Sequence, residues 1–194
     1  MALDLRALVS KYENQNGKTQ WLQLKDDGDS VMVRFLHSNE HDLDVFEVHT
    51  VEVDGFNQSV ECLGDECPLC KAGNKPSLRI WLQMVDLADN EIKVWSRGVS
   101  DIKKILEEIA ENGNLNERDY KIKRSGKKGS TKTQYLFYAK DKCERELPER
   151  KNVKGFLVRT VTYEEAEQIL TGTFTFKKDT LDDSKSNKSG EELF

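Results

Sequence analysis

Leu78-Arg79-Ile80-Trp81-Leu82-Gln83-Met84-Val85 and Glu91-Ile92-Lys93-Val94-Trp95-Ser96-Arg97, joined by Asp86-Leu87-Ala88-Asp89-Asn90, decide how this chain folds. Both runs alternate apolar and polar side chains with period two, the pattern of paired strands in a hairpin. Ile80, Leu82 and Met84 take one face of the first strand and leave Arg79, Trp81 and Gln83 on the other. In the second strand Ile92 and Val94 oppose Lys93, Trp95 and Arg97. Register follows the apolar set, so the apolar faces are expected to coincide. Trp81 and Trp95 are then expected together, on a face otherwise made of Arg79, Gln83, Lys93 and Arg97.

Further strands surround this hairpin. Residues 29–37 alternate with Val31, Val33 and Phe35 on one side and Arg34 on the other, and a second strand runs from about Asp44 to Val53. Residues 54–76 hold Gly55, Gly64, Gly73 and Pro76 and read as an irregular loop. After the hairpin, Ser100 is the expected N-cap of a helix that buries Ile102, Leu106 and Ile109 and stops at Gly113. Strands at 119–124 and 133–140 and a last strand at 153–160 follow. Thr162 and Glu165 then form a capping box for a short helix ending at Gly172. Leu5, Leu8, Val9 and Tyr12 predict a short amphipathic helix over 3–13. Many short strands with one mid-chain helix give a mainly β fold, expected as an OB-fold-like Greek-key barrel. A single domain over 1–178 carries an inserted zinc loop, 49–76, and an acidic, disordered tail, 179–194.

The 194 residues are 34% charged and 37% hydrophobic, enough for one modest core. No apolar run reaches the ~18 residues that span a bilayer. Met1-Ala2-Leu3-Asp4-Leu5-Arg6 lacks the basic and apolar segments of a secretory signal. A soluble, cytoplasmic protein without membrane contact is expected. Net charge is −5, of which residues 179–194 contribute −3 through Asp179, Asp182, Asp183, Glu191 and Glu192 against Lys185 and Lys188. The body is therefore nearly neutral, and its cations are clustered. Local patches, not the total, govern binding of polyanions.

Three of the four cysteines, Cys62, Cys67 and Cys70, lie within nine positions, and His49 precedes them by thirteen. In a reducing compartment such a cluster points to metal rather than disulfides. Cys3His is a common set for a structural, tetrahedral zinc, and four protein ligands leave no open position for catalysis. One Zn2+ per chain is expected on His49, Cys62, Cys67 and Cys70, with Cys143 the rival to His49 for the fourth place. His37 and His41 are weaker candidates. A thioredoxin-like redox motif would open a helix after Cys67-x2-Cys70, but Lys71-Ala72-Gly73-Asn74 leads to Pro76. A zinc deaminase needs H-x-E and P-C-x-x-C. Here His37 and His49 stand three residues before a glutamate, and Pro68 follows Cys67.

The expected indole face suits unpaired nucleic acid, with bases stacking on rings and cations neutralising phosphates. Lys121, Lys123, Arg124, Lys127, Lys128 and Lys132 add six cations in twelve positions, on a glycine-bearing loop able to close over a strand. Tyr135 and Phe137 project to one side of the following strand and Leu136 and Tyr138 to the other; one pair faces the ligand, and Tyr135 and Phe137 are assigned to it. Arg34 completes the candidate contact set. Asp182, Asp183, Glu191, Glu192, Leu193 and Phe194 end the chain with acid and a bare aromatic terminus, a compact docking element for basic, hydrophobic pockets.

His49-x12-Cys62 with the later Cys67-x2-Cys70 pair resembles the zinc site of the T-even bacteriophage helix-destabilising, single-stranded DNA-binding proteins. Only four residues separate Cys62 from Cys67, in place of a longer stretch. The closing Gly190-Glu191-Glu192-Leu193-Phe194 is similar to the acidic, Phe-terminated ends of phage and bacterial single-strand binders. That likeness implies an OB-fold with an inserted zinc subdomain. It also implies a tail that recruits a replication polymerase, primase or helicase. The family's basic N-terminal motif is not evident, since residues 1–20 offer only Arg6, Lys11 and Lys18. The expectation is a non-enzymatic single-stranded DNA-binding protein of phage replication and recombination. The alternatives are a zinc-ribbon adaptor for nucleic acid or transcription and, behind it, a zinc-bearing nuclease.

Overall fold

A computed structural model describes residues 20–130 and 132–176. The helix expected over 3–13 and the tail expected over 179–194 lie outside them. The strands are β1 (Gln20–Trp21), β2 (Ser30–Phe35), β3 (Asp44–Val53), β4 (Phe56–Glu61), β5 (Ser77–Asp86), β6 (Glu91–Gly98), β7 (Arg118–Ser125), β8 (Gln134–Lys142) and β9 (Val158–Arg159). The helices are α1 (Pro68–Lys71), α2 (Val99–Asn112) and α3 (Tyr163–Thr171), with 3-10 turns at Glu40–Asp42 and Leu115–Glu117.

All nine strands join one mixed sheet in the order β8-β7-β2-β5-β3-β4-β9, with β6 on the other edge of β5 and β1 on β6. β5 is long enough to serve three neighbours. Its first half pairs with β3, its last residues with β2, and its opposite edge from Arg79 to Asp86 with β6. The sheet does not close: β6 and β8 face each other without pairing, so a closed barrel is not formed.

The hairpin register corrects the sequence expectation. Asp86 pairs with Glu91 around the four-residue loop Leu87–Asn90, and this parity sets Leu82 opposite Trp95 and Trp81 opposite Ser96. Trp81 and Trp95 therefore project from opposite faces of the sheet. Both faces are covered, so β5 is buried without interruption from Ile80 to Val85. Trp95 joins Val33, Phe35, Ile80, Leu82, Met84, Tyr120 and Ile122 in the main core, beneath Ile102 and Ile105 of α2. Trp81 packs on the reverse side with Val48, Val94, Val153 and Val158.

α2 buries Ile102 and Ile105 and leaves Leu106 exposed, because the 102-105-109 stripe faces the sheet. Ser100 lies inside this helix, whose N-cap is Gly98. α3 carries the expected capping box, with Thr162 and Glu165 bonding reciprocally. The region 54–76 is more regular than its glycines imply. Asp54 and Gly55, both at positive φ, turn β3 back into β4, and Pro68 starts α1. Of the strand expected over 153–160, only β9 forms; it lies parallel to β4. A second core of Val51, Val53, Val60, Leu69, Val161 and Ala166 unites β3, β4, α1 and α3 into a lobe at this end of the sheet.

Candidate metal centre and adjoining cleft

His49 lies on the face of β3 that also carries Val51 and Val53, and its ring is fully buried. Cys62 follows β4 while still in register, its N–H donating to Glu47 O at 2.9 Å. Gly64 at φ 84 turns the chain so that Cys67 caps α1, and Cys70 follows one turn later. The ligand atoms of His49, Cys62, Cys67 and Cys70 all fall within 4.8 Å of one another, so this set could hold a metal ion. Cys143 is elsewhere, its sulfur 2.6 Å from Arg34 Nη2.

Asn74, which the sequence did not single out, orients the histidine. Its Nδ2 donates to Thr50 O at 3.1 Å, which fixes the amide and turns Oδ1 toward His49 Nδ1 at 3.4 Å. A carbonyl oxygen there requires the proton on Nδ1. The bare Nε2 lone pair then points at Cys67 Sγ and Cys70 Sγ, 3.5 and 3.6 Å away. Metal-bound histidines are held in this way by the hydrogen bond of the second nitrogen. The sulfurs compete for charge. Burial and the Cys62 and Cys67 sulfurs push the Cys70 thiol up to about 11. Burial also raises Cys67, but the backbone of Leu63, Cys70 and Leu69 and the Cys62 thiol outweigh it and bring Cys67 below the ordinary value. A divalent cation lets such a set ionise together. Among the described residues no further donor joins the four.

Thr50 and Ser59, from the strands that lead into this centre, also line a cleft of about 570 Å³ that runs along the β6 edge to Tyr135. β1 pairs with β6 only at Lys93 and Val94, and the chain after Trp21 forms the opposite wall. The Trp21 indole is 46% exposed there. Arg97 stacks over Trp95 and Tyr135, 4.8 and 4.1 Å from the ring centres, and pairs with Asp101 at 2.9 Å. Arg79 bonds only Ser96 and enters no ion pair among the described residues. Burial and the neighbouring Arg97 lower its affinity for its proton. Two guanidiniums with one carboxylate between them leave the cleft electropositive.

The remaining predicted contacts divide sharply. Trp81 is 1% exposed and Trp95 4%, so neither indole offers a free face as a pair of stacking platforms would. Arg34, 1% exposed, is held by Asp119 at 2.7 Å and by the carbonyls of Asn116 and Cys143. Lys93 is tied to Asp89 and Gln20. Arg124 bonds the carbonyls of Leu24, Gly126 and Lys127 and the hydroxyls of Thr133 and Tyr135, while Asp27 accepts the Gly126 N–H. The base of the basic loop is thereby pinned, which corrects its reading as a freely closing lid. Lys127, Lys128 and Lys132 remain exposed on it. Tyr135 and Phe137 pack in the main core, so the outward pair on β8 is Leu136 and Tyr138. Lys121 and Lys123 lie on that same outward side.

No helix among the described residues is long and apolar enough to cross a membrane. Compared with protein-family models, with curated proteins and with solved structures, the chain matches none.

Proposed function

We propose that this chain binds single-stranded DNA along the Trp21–Arg79–Arg97 cleft, around a structural zinc, and has no catalytic activity. The observation that carries the reading is the exposed Trp21 indole beside Arg79 and Arg97 in one open groove. An unpaired strand needs both components: a ring face for a base and cations for adjacent phosphates. A duplex keeps its bases stacked and has no use for an indole inside a groove. The separation of strand order by α2, with β6 and β8 in ring contact but unpaired, supports an OB-like barrel opened along one seam. Along that seam the ligand enters.

Zinc is the metal that best suits the four donors. Bonds of about 2.3 Å to sulfur and about 2.05 Å to nitrogen give tetrahedral edges of about 3.8 Å between sulfurs and about 3.6 Å between sulfur and nitrogen. Cys62 and Cys70 stand 3.7 Å apart, and His49 Nε2 lies 3.5 and 3.6 Å from two sulfurs. With four protein ligands the ion holds the lobe of β3, β4, α1 and α3 and thereby the cleft wall at Thr50 and Ser59. The acidic residues Asp182, Asp183, Glu191 and Glu192, ahead of Leu193 and Phe194, serve to recruit replication proteins such as a polymerase, primase or helicase. In a phage-infected or bacterial cytoplasm the protein would coat exposed strands during replication and recombination.

Fluorescence anisotropy with labelled oligo(dT), a duplex of the same length and oligo(U), alongside zinc analysis of the purified chain, tests the reading. Oligo(dT) should bind well above duplex, with an affinity that falls as salt rises by a log–log slope of about −0.7 per phosphate contact. One zinc per chain should be found. Preference for duplex would favour an adaptor role, and magnesium-dependent cleavage would favour a nuclease.

A further inference from the structure

β7 and β8 present a second, separate surface on the side of the sheet away from the main core. Strand alternation sends Tyr135 and Phe137 inward and Leu136, Tyr138 and Lys140 outward. The register sets Tyr138 opposite Lys121 and Leu136 opposite Lys123, while Met32 of β2 lies beside Lys121. Tyr138 is 45% exposed and Leu136 37%. Lys121, Lys123 and Lys140 enter no ion pair among the described residues. Neighbouring carboxylates are engaged elsewhere, Asp119 with Arg34 and Arg145 and Glu117 with Lys142. Asp141 lies between Ala139 and Lys142, where the β7–β8 register shifts and two residues of β8 oppose one of β7. The outcome is a tyrosine ring and a leucine framed by three ammonium groups that enter no ion pair among the described residues.

This face adjoins the cleft but looks the other way. Tyr135 lines the cleft from one side of β8, and Leu136 and Tyr138 begin the outer face from the other. Among the described residues, the edge of β8 between them carries no partner strand. A flexible chain emerging from the cleft can cross that edge and continue outside, which a stiff duplex cannot.

On the reading above, we infer that the outer face of β7–β8 is a second contact track for the same single-stranded nucleic acid. Tyr138 stacks a base, and Lys121, Lys123 and Lys140 neutralise phosphates, after the strand has rounded the β8 edge. The cleft holds the first nucleotides and the outer face the later ones. Charge complementarity commits the face to a polyanion, and the exposed ring commits it to one with free bases. Cations alone would accept any acidic partner.

The test compares oligo(dT) of about 6 and about 16 nucleotides, short and long limits for one such domain. Both are titrated against the full chain and against Tyr138→Ala and Lys121→Gln/Lys123→Gln/Lys140→Gln variants, with circular dichroism to confirm folding. Each variant should weaken the long oligomer about tenfold and leave the short one within about twofold. The triple variant should also make the salt slope for the long oligomer shallower by about 2. If both variants bind both lengths like the parent, while Trp21→Ala still weakens them, the cleft reading stands and the second track is refuted. If the parent binds neither length, both readings fall together. If a peptide of residues 179–194 binds this face and only its binding is lost in the variants, the face takes acidic peptide and the inference is overturned.

Discussion

Trp95 and Tyr135 meet edge to face, ring centres 4.8 Å apart, across the gap where β6 and β8 do not pair. The contact across the gap is thus made by side chains instead of a backbone ladder. Arg97 lies over both rings. A fully paired seam would bring the two backbones to ladder distance, about 4.8 Å.

Trp21 and Trp81 should respond oppositely to truncation. Trp21→Ala removes a half-exposed ring and should change stability by no more than about 0.5 kcal/mol, while oligo(dT) affinity drops at least fivefold. Trp81→Ala empties a site bounded by Phe46, Val48, Val94, Val153 and Val158 and should cost about 3–5 kcal/mol in urea denaturation. Equal effects of both variants on binding at matched folding would contradict the assignment of the two indoles.

Asn74→Ala should weaken metal binding ten- to a hundredfold, because His49 loses the acceptor that holds its proton on Nδ1. Competition with a chromophoric chelator measures this directly. Asn74→Asp keeps an acceptor for Nδ1 and should restore most of the affinity. An Asn74→Ala variant with parental affinity would show that the amide merely fills space.

Much of the fold was legible wherever signals were local. The strand over 44–53, the capping box at Thr162 and Glu165, and the His49, Cys62, Cys67 and Cys70 grouping all follow from spacing over a few residues or one loop. Reading failed where two surfaces compete. β5 is covered on both sides, so matching apolar faces could not set the hairpin register; the four-residue loop between Asp86 and Glu91 did. β4 escaped notice because Phe56–Glu61 buries only Val60. Trp21 and Asn74 gave no local sign at all, since one is placed by β6 and the other by β3.

Asp119→Ala should destabilise the protein by about 3–5 kcal/mol, since it strands the buried Arg34 guanidinium without its counter-charge. Combining Arg34→Met with Asp119→Leu should recover a large part of that loss. Chemical denaturation of the two single variants and the double variant measures the coupling. Strictly additive losses would mean that the pair contributes no interaction of its own.

His37 predicts an acid-sensitive fold. Its Nε2 accepts the Gln83 backbone N–H at 2.9 Å, so Nδ1 carries the proton and faces Asp42 O at 2.9 Å. Arg150 Nη1 lies 2.8 Å from the same nitrogen and also bonds Asp42 and Asp44. Burial, foremost, and the Arg150 charge lower the His37 value, against the opposing pull of the Asp42 backbone and the Asp44 and Asp42 carboxylates. A second proton on the ring would meet the Gln83 N–H head on. Because the folded value is depressed, the unfolded chain binds the proton more readily. Stability from the neutral ring is complete above the ordinary histidine value of about 6.5 and declines as pH falls below it. The lowered carboxylates, Asp29, Glu66, Asp89 and Glu117, begin to matter only nearer their own range, about pH 4. Urea midpoints for the zinc-loaded parent should fall between pH 7 and 5. A His37→Gln variant, less stable at pH 7, should fall less over that interval, and the difference between the two proteins cancels any shared loss of metal. Parallel slopes would acquit His37 and place the sensitivity at the metal centre instead.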